Sequence, residues 1–292
     1  NFKNPVIPAS GAFGYGREYE KFFPLSKLGG LSIKGTTLNP KQGNPGPRVA
    51  ETPSGMLNSV GLQNGGLEKF LSYELPNLVT KDTKIIANIA GATIEECGEL
   101  ALRLNDTAID MIELNISCPN VKHGGAAFGT SCESAAEITK AVRDVTTKPL
   151  MVKLSPNVTS ITDIAKAVEA SGADAVSLIN TLLGMRIDIG NRRPILKNNV
   201  GGLSGPAVFP VAVRMVWQVA NAVKIPVCGM GGISTAEDAI EMMMAGASTI
   251  QVGAAIFSNP FAPVEIIDGI NEWCDNNGVK SVSEIIGAVQ PW

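Results

Sequence analysis

Eight short runs dense in Val, Ile and Leu recur along the chain, at residues 6–9, 31–34, 85–89, 111–116, 150–154, 175–179, 226–229 and 249–252. They hold few charges, and most show no polar–apolar alternation. That is how a strand reads when both of its faces are buried, as in a parallel sheet. Amphipathic stretches lie between them. Residues 93–105 place Ile94, Cys97, Leu100, Ala101 and Leu104 on one side, with Thr93 placed to cap the start. Residues 134–145, 161–170 and 236–245 show similar spacing. Residues 206–223 are longer, with Pro210 at a first-turn or kink position. Parallel strands joined through helices need right-handed crossovers. Either a closed barrel or an open doubly wound sheet satisfies that rule. Eight units fill the 292 residues and no shift in composition marks a second domain. The expected fold is therefore α/β, one (β/α)8 TIM barrel over residues 1–292.

Two segments break the rhythm. Residues 36–66, rich in Gly, Pro and Asn, follow the second strand, and residues 182–203 follow the sixth. Both are expected to be long loop insertions at the C-terminal mouth, where barrels of this kind build their active sites. A net charge of −3 gives no footing for nucleic acid or an anionic membrane. No run of about 18 apolar residues suggests a membrane span. The five cysteines are odd in number, scattered and without a C-x-x-C pair. That argues against a disulfide framework and against a cysteine metal or iron–sulfur site on this chain, and makes a reducing cytoplasm the simplest setting. A single histidine, His123, excludes a multi-histidine metal site. The chain opens at Asn1 without Met, so a short N-terminal piece is expected to be missing.

What ends each strand carries the chemistry. The ends read Ser10-Gly11, Lys34-Gly35-Thr36, Asn88, Asn115 to Asn120, Lys153, Asn180-Thr181, Gly229 to Gly232 and Gly253-Ala254. Polar groups thus converge on one end of the barrel, and a ligand with many hydrogen-bonding edges would pair them. Gly229-Met-Gly-Gly-Ile-Ser before a helix, with Gly253-Ala254 after the last strand, reads as a phosphate site; the alternative is a tight turn with glycines for geometry alone. Lys153, inside an apolar strand, suits a Schiff base, a cation beside an electron-rich cofactor, or a structural ion pair. Lys34 has the same character. Cys118 follows a strand end beside Pro119, where a thiol near cations can act as a general base. The bland reading, a small buried hydrophobe, suits Cys97, Cys228 and Cys274; Cys132 stays undecided. Residues 121–129 read as a lid with glycine hinges, on which His123 is a lid contact rather than a catalytic group.

Asn115-Ile-Ser-Cys-Pro-Asn-Val-Lys-His-Gly-Gly, Asn58-Ser-Val-Gly-Leu-Gln-Asn, Pro8-Ala-Ser-Gly and Gly229-Met-Gly-Gly-Ile together resemble the dihydroorotate dehydrogenase family, over nearly the whole chain. Cysteine at 118, where class 2 enzymes carry serine, points to class 1. The Val-Lys-His-Gly-Gly continuation favours the NAD-linked type B catalytic subunit over the fumarate-using type A. The resemblance implies FMN across the barrel mouth, its phosphate at Gly231, Gly232, Gly253 and Ala254. Ser10, Lys34, Gly35, Asn88, Asn115, Lys153, Ile179 and Gly205 would contact the rest of it. Dihydroorotate would be held by Lys34, Asn58, Ser59, Val60, Gly61, Leu62, Asn115, Asn180 and Thr181. Cys118 would take the C5 proton while hydride passes from C6 to flavin N5, giving orotate for pyrimidine (UMP) biosynthesis. The family also implies a homodimer within a heterotetramer, whose second subunit carries FAD and a 2Fe-2S cluster and passes electrons to NAD; neither centre is expected here. Its barrels often carry a strand pair that plugs the bottom, a feature this start lacks. Other readings remain: a flavin barrel acting on dihydrouracil or dihydrothymine, a Lys153 Schiff-base aldolase, and a barrel that only binds a phosphorylated ligand.

Overall fold

The computed structural model describes residues 2–117 and 128–292. Eight strands form one parallel sheet: β1 (Val6–Pro8), β2 (Gly30–Ser32), β3 (Lys84–Ile89), β4 (Met111–Asn115), β5 (Leu150–Lys153), β6 (Ala175–Leu178), β7 (Val227–Met230) and β8 (Thr249–Val252). Each lies within two residues of its expected span. The spatial order is β1-β8-β7-β6-β5-β4-β3-β2. The two ends of that order meet where Gly29 N–H donates to the Val6 carbonyl at 3.1 Å, which closes the sheet into a nearly complete barrel.

Helices cover the outside: Ile94–Leu104, Cys132–Val145, Ile161–Ala170, Phe209–Ala220, Ala236–Met244 and Ala262–Asn277. The first buries Cys97, Leu100, Ala101 and Leu104, the face read from the sequence. Thr93, Ser131, Ser160 and Thr235 each begin a helix by accepting a backbone N–H three residues on, which satisfies a donor the helix cannot pair itself. The 206–223 stretch divides into a 3-10 turn, Pro206–Val208, and the helix Phe209–Ala220, with Pro210 in its first turn. Helical regions without an expectation from the sequence include Ala262–Asn277, the short helix Ala255–Ser258, and the run from Gly66 to Leu78.

The barrel interior is layered. Ile7, Ile86, Met151, Ala175 and Cys228 form an apolar plug near the N-terminal ends of the strands, with Phe2 and Met111 packed against it. Because side chains alternate along a strand, residues two further on point into the same interior. There the sequence changes from apolar to polar, at Asn88, Lys153 and Ser177.

The two mouth insertions depart from expectation. They are not loops throughout. Val49–Thr52, Gly55–Asn58, Gly201–Ser204 and Leu182–Gly184 pair in that spatial order as a four-stranded antiparallel sheet. Backbone that crosses the mouth needs partners for its N–H and C=O groups, and these segments supply them to one another. They carry little strand signal in the sequence because they are short and mostly not buried, and three of the four contain glycine.

Candidate active site

A cavity opens at the C-terminal ends of the strands. Its wall contains Ser10, Lys34, Gly35, Asn115, Lys153, Ile179, Asn180, Thr181, Gly205, Gly231, Gly232, Gly253 and Ala254. Asn58, Val60, Gly61 and Leu62 reach it from the mouth sheet and the segment that follows. Most of the site residues read from the sequence therefore meet in one place. Two lie behind the wall instead. Ser59 is fully buried; its N–H donates to the Arg48 carbonyl at 2.8 Å and its carbonyl accepts from Asn44 Nδ2 at 2.9 Å. Asn88 is fully buried inside the barrel. Cys118 and His123, with most of the expected lid, fall outside the described residues. The wall also includes groups that sequence reading passed over, among them Met56, Leu203, Ser204, Gln251 and Phe257.

Polar side chains shape the segment from Asn58 to Leu62. Asn44 and Arg48 hold its start. Asn64 Nδ2 donates to the Leu62 carbonyl at 2.7 Å, and Asn64 Oδ1 accepts from Gly66 N–H at 2.8 Å. This scaffold keeps Leu62 at φ 55°, a left-handed conformation that a side chain adopts only under such constraint. On the opposite side, Gly231 (φ 124°) and Gly232 (φ 80°) turn the chain after β7. A Cβ on Gly232 would lie 2.8 Å from the Phe209 backbone nitrogen, so the turn abuts the start of the Phe209–Ala220 helix. The positive end of that helix dipole favours an anion beside the glycines. The helix Ala236–Met244, nearer in sequence, is a weaker candidate. Its Thr235–Asp238 capping box already takes the N–H groups of Ser234, Thr235 and Asp238.

A relay of side chains joins β4 to β6. Asn180 Nδ2 donates to Ser117 Oγ at 2.8 Å, and Ser117 Oγ donates to Asn115 Oδ1 at 2.9 Å. With its oxygen committed, Asn115 has its amide N–H groups to offer at the cavity wall. Asn157 braces the far end, donating to the Thr181 carbonyl at 3.0 Å and accepting from Leu183 N–H at 2.9 Å. Together with Lys34 and Lys153, this wall suits a ligand bearing a carboxylate and ring carbonyls.

Glu113 is a buried acid that sequence reading passes over. It is wholly buried in β4. Its Oε2 accepts from Ser32 Oγ at 2.6 Å and Asn88 Nδ2 at 2.7 Å, and its Oε1 from Ser177 Oγ at 2.8 Å and Gln251 Nε2 at 2.9 Å. Burial pushes this carboxyl up, but the charge of Lys153 and the bonds from Ser32, Asn88 and Ser177 outweigh it and hold it below the usual carboxylate range. The signal was available: an acid in the middle of Met111-Ile-Glu-Leu-Asn is as anomalous as the lysine of Leu150-Met-Val-Lys. Asn88 Oδ1 and Gln251 Oε1, the oxygens left over, are buried without partners. Unpaired acceptors beside a wall holding two lysines fit a ligand that offers N–H donors and carries negative charge, and FMN does both. No group of three His, Cys, Asp or Glu side chains suited to a metal occurs among the described residues. Nor do those residues include a helix long and apolar enough to cross a membrane.

Comparison with known proteins gives a consistent result. A family model described as dihydroorotate dehydrogenase matches residues 1–274. The chain is 57% identical over 290 residues to the "Dihydroorotate dehydrogenase B (NAD(+)), catalytic subunit" of Parabacteroides distasonis, covering 98% of this chain and 94% of that one. Proteins of the same name in Alkaliphilus oremlandii and Bacteroides thetaiotaomicron are 58% identical over 285 residues and 56% over 289. Those matches cover 98% and 99% of this chain, and 94% and 95% of the relatives.

Proposed function

The chain belongs to the dihydroorotate dehydrogenase family, and we propose that it is the catalytic subunit of an NAD-linked, type B member. It oxidises (S)-dihydroorotate to orotate for UMP synthesis. The cavity supports this reading by setting a glycine cradle for an anion opposite a wall of Lys34, Asn58, Asn115, Asn180 and Thr181. The relatives' shared name supports it independently.

The cofactor in this reading is FMN. Gly231, Gly232, Gly253 and Ala254 hold its phosphate, and Ser10, Gly35, Lys153, Ile179, Gly205 and Gln251 surround the rest. Bound FMN supplies the acceptor for the hydride that leaves C6 of the substrate. Lys34 meets the substrate carboxylate, and the amides of Asn58, Asn115 and Asn180 meet its ring carbonyls and N–H groups. Val60, Gly61 and Leu62 border it from the mouth. Cys118 takes the C5 proton as general base; the chain enters that residue from Ser117, which Asn115 and Asn180 anchor. Residues 1–292 act as one FMN-binding domain in the cytoplasm. Electrons leave through a partner subunit bearing FAD and a 2Fe-2S cluster, within a heterotetramer built on a homodimer of this chain.

Anaerobic reduction tests the assignment. The purified chain, supplied with FMN, should be yellow, bleach with dihydroorotate, and bind orotate in preference to uracil. Cys118→Ala should keep FMN bound and slow flavin reduction by about 10²–10⁴-fold. Unchanged reduction kinetics in that variant would remove Cys118 from the reaction, and a chain that dihydroorotate fails to bleach would overturn the function.

A further inference from the structure

Glu113 does more than fill the barrel. Its four donors come from four different strands: Ser32 from β2, Asn88 from β3, Ser177 from β6 and Gln251 from β8. Lys153, from β5, adds the opposing charge. An ionised carboxylate without such partners would not be tolerated there. The arrangement also fixes the hands of two amides. Serine hydroxyls can rotate, but Asn88 and Gln251 give their NH2 groups to the acid and so must turn their oxygens elsewhere. Both oxygens are buried and unpartnered, and Gln251 stands on the cavity wall.

We propose that Glu113 is a positioning residue of the flavin site. Through Lys153 it sets the net charge that the isoalloxazine meets, and through Gln251, on the cavity wall, it decides that an amide oxygen and not an amide N–H group is turned from the acid toward the site, with Asn88 Oδ1 turned likewise beside Gly35, behind the wall. The inference rests on the FMN reading above. Reduced flavin carries more negative charge than oxidised flavin, so an unopposed Lys153 favours the reduced form. Glu113 offsets that cation and holds the potential down.

The test is the two-electron midpoint potential of the FMN-loaded protein, measured by dye-coupled anaerobic titration. Glu113→Gln is nearly isosteric, removes the charge, and forces at least one facing amide to reverse. It should favour reduced over oxidised FMN at least tenfold more than the native chain does, a rise of about 30 mV. Ser177→Ala removes a hydroxyl dipole that partly offsets the carboxylate and leaves the charge in place. It should shift the ratio about threefold the other way, a fall of about 14 mV. A merely structural role loosens the site in both variants and gives no reason for opposite signs. Should Glu113→Gln fail to fold, Ser177→Ala and Ser32→Ala decide the matter: a fall supports the role, and no change or a rise overturns it. A native chain that takes up no FMN overturns the cofactor reading and this inference with it. A native chain that takes up FMN, but whose potential neither variant moves as stated, overturns the role of Glu113 alone.

Discussion

Cys97 and Cys228 show how far burial alone can silence a reactive group. Desolvation pushes their thiols up to about 11 and about 12, despite a hydrogen bond from Gly91 N–H to the first and bonds with Thr249 and Gln251 at the second. At pH 8 neither holds an appreciable thiolate fraction. Ellman's reagent should therefore leave both untouched in the native chain and titrate them only after denaturation, as peptide mapping of the labelled protein would show. Rapid native labelling of Cys228 would contradict its place in the barrel plug. At this scale the sequence was half legible. Lys153 stood out as a cation in an apolar strand, and the glycines as a turn. Glu113 and Gln251 were passed over because one strand shows only that a polar residue is internal. The partners that explain it arrive from strands dozens of residues away.

Single substitutions at element ends separate local from assembled effects. Thr235 caps the helix Ala236–Met244 through a reciprocal box with Asp238 and does not line the cavity. Thr235→Ala should lower stability by about 1 kcal/mol in urea denaturation and leave FMN affinity unchanged. Gly232→Ala should do both kinds of damage. At φ 80° an alanine costs about 1–3 kcal/mol, and its Cβ would meet the Phe209 backbone nitrogen at 2.8 Å. The cradle must open to admit it, so FMN affinity should fall at least tenfold by fluorescence titration. An affinity equal to that of the native chain would move the phosphate site away from this turn. Elements with their own local signal were readable: every barrel strand as a short apolar run, and the helix Ile94–Leu104 by its apolar face and its cap. The mouth sheet was not. Its strands are stabilised by pairing with one another across the gap between residues 58 and 201, a fact no local window contains. The run from Gly66 to Leu78 likewise opens without a side-chain cap and carries Pro76 inside it, so the usual start and stop signals are absent.

Over the whole molecule, the order of alternating elements narrowed the fold to a closed barrel or an open doubly wound sheet, and the eight units filling the chain favoured the barrel that the structure shows. What the order could not reveal is that the interior changes from apolar plug to charged network between one pair of strand residues and the next. That change has a consequence for stability against pH. Glu113 is held below its ordinary carboxylate range in the fold, so the folded chain binds fewer protons there than the unfolded chain. Its contribution is fully present above the unfolded value of 4.5 and drains away as pH falls through the folded one. Cys97 and Cys228 act in the opposite sense. Their folded values stand above the unfolded 9.0, so their contribution is complete below pH 9 and is lost as pH rises toward 11 and 12. Urea midpoints should thus be level between about pH 6 and pH 8 and fall on both sides. Glu113→Gln, which mismatches buried donors, should be less stable at pH 7 by about 1–3 kcal/mol. It should also lose part of the acid-side slope, so that the two curves converge as pH falls. Parallel curves would mean that the carboxyl does not titrate with folding, and that the network about it is held by packing rather than by charge.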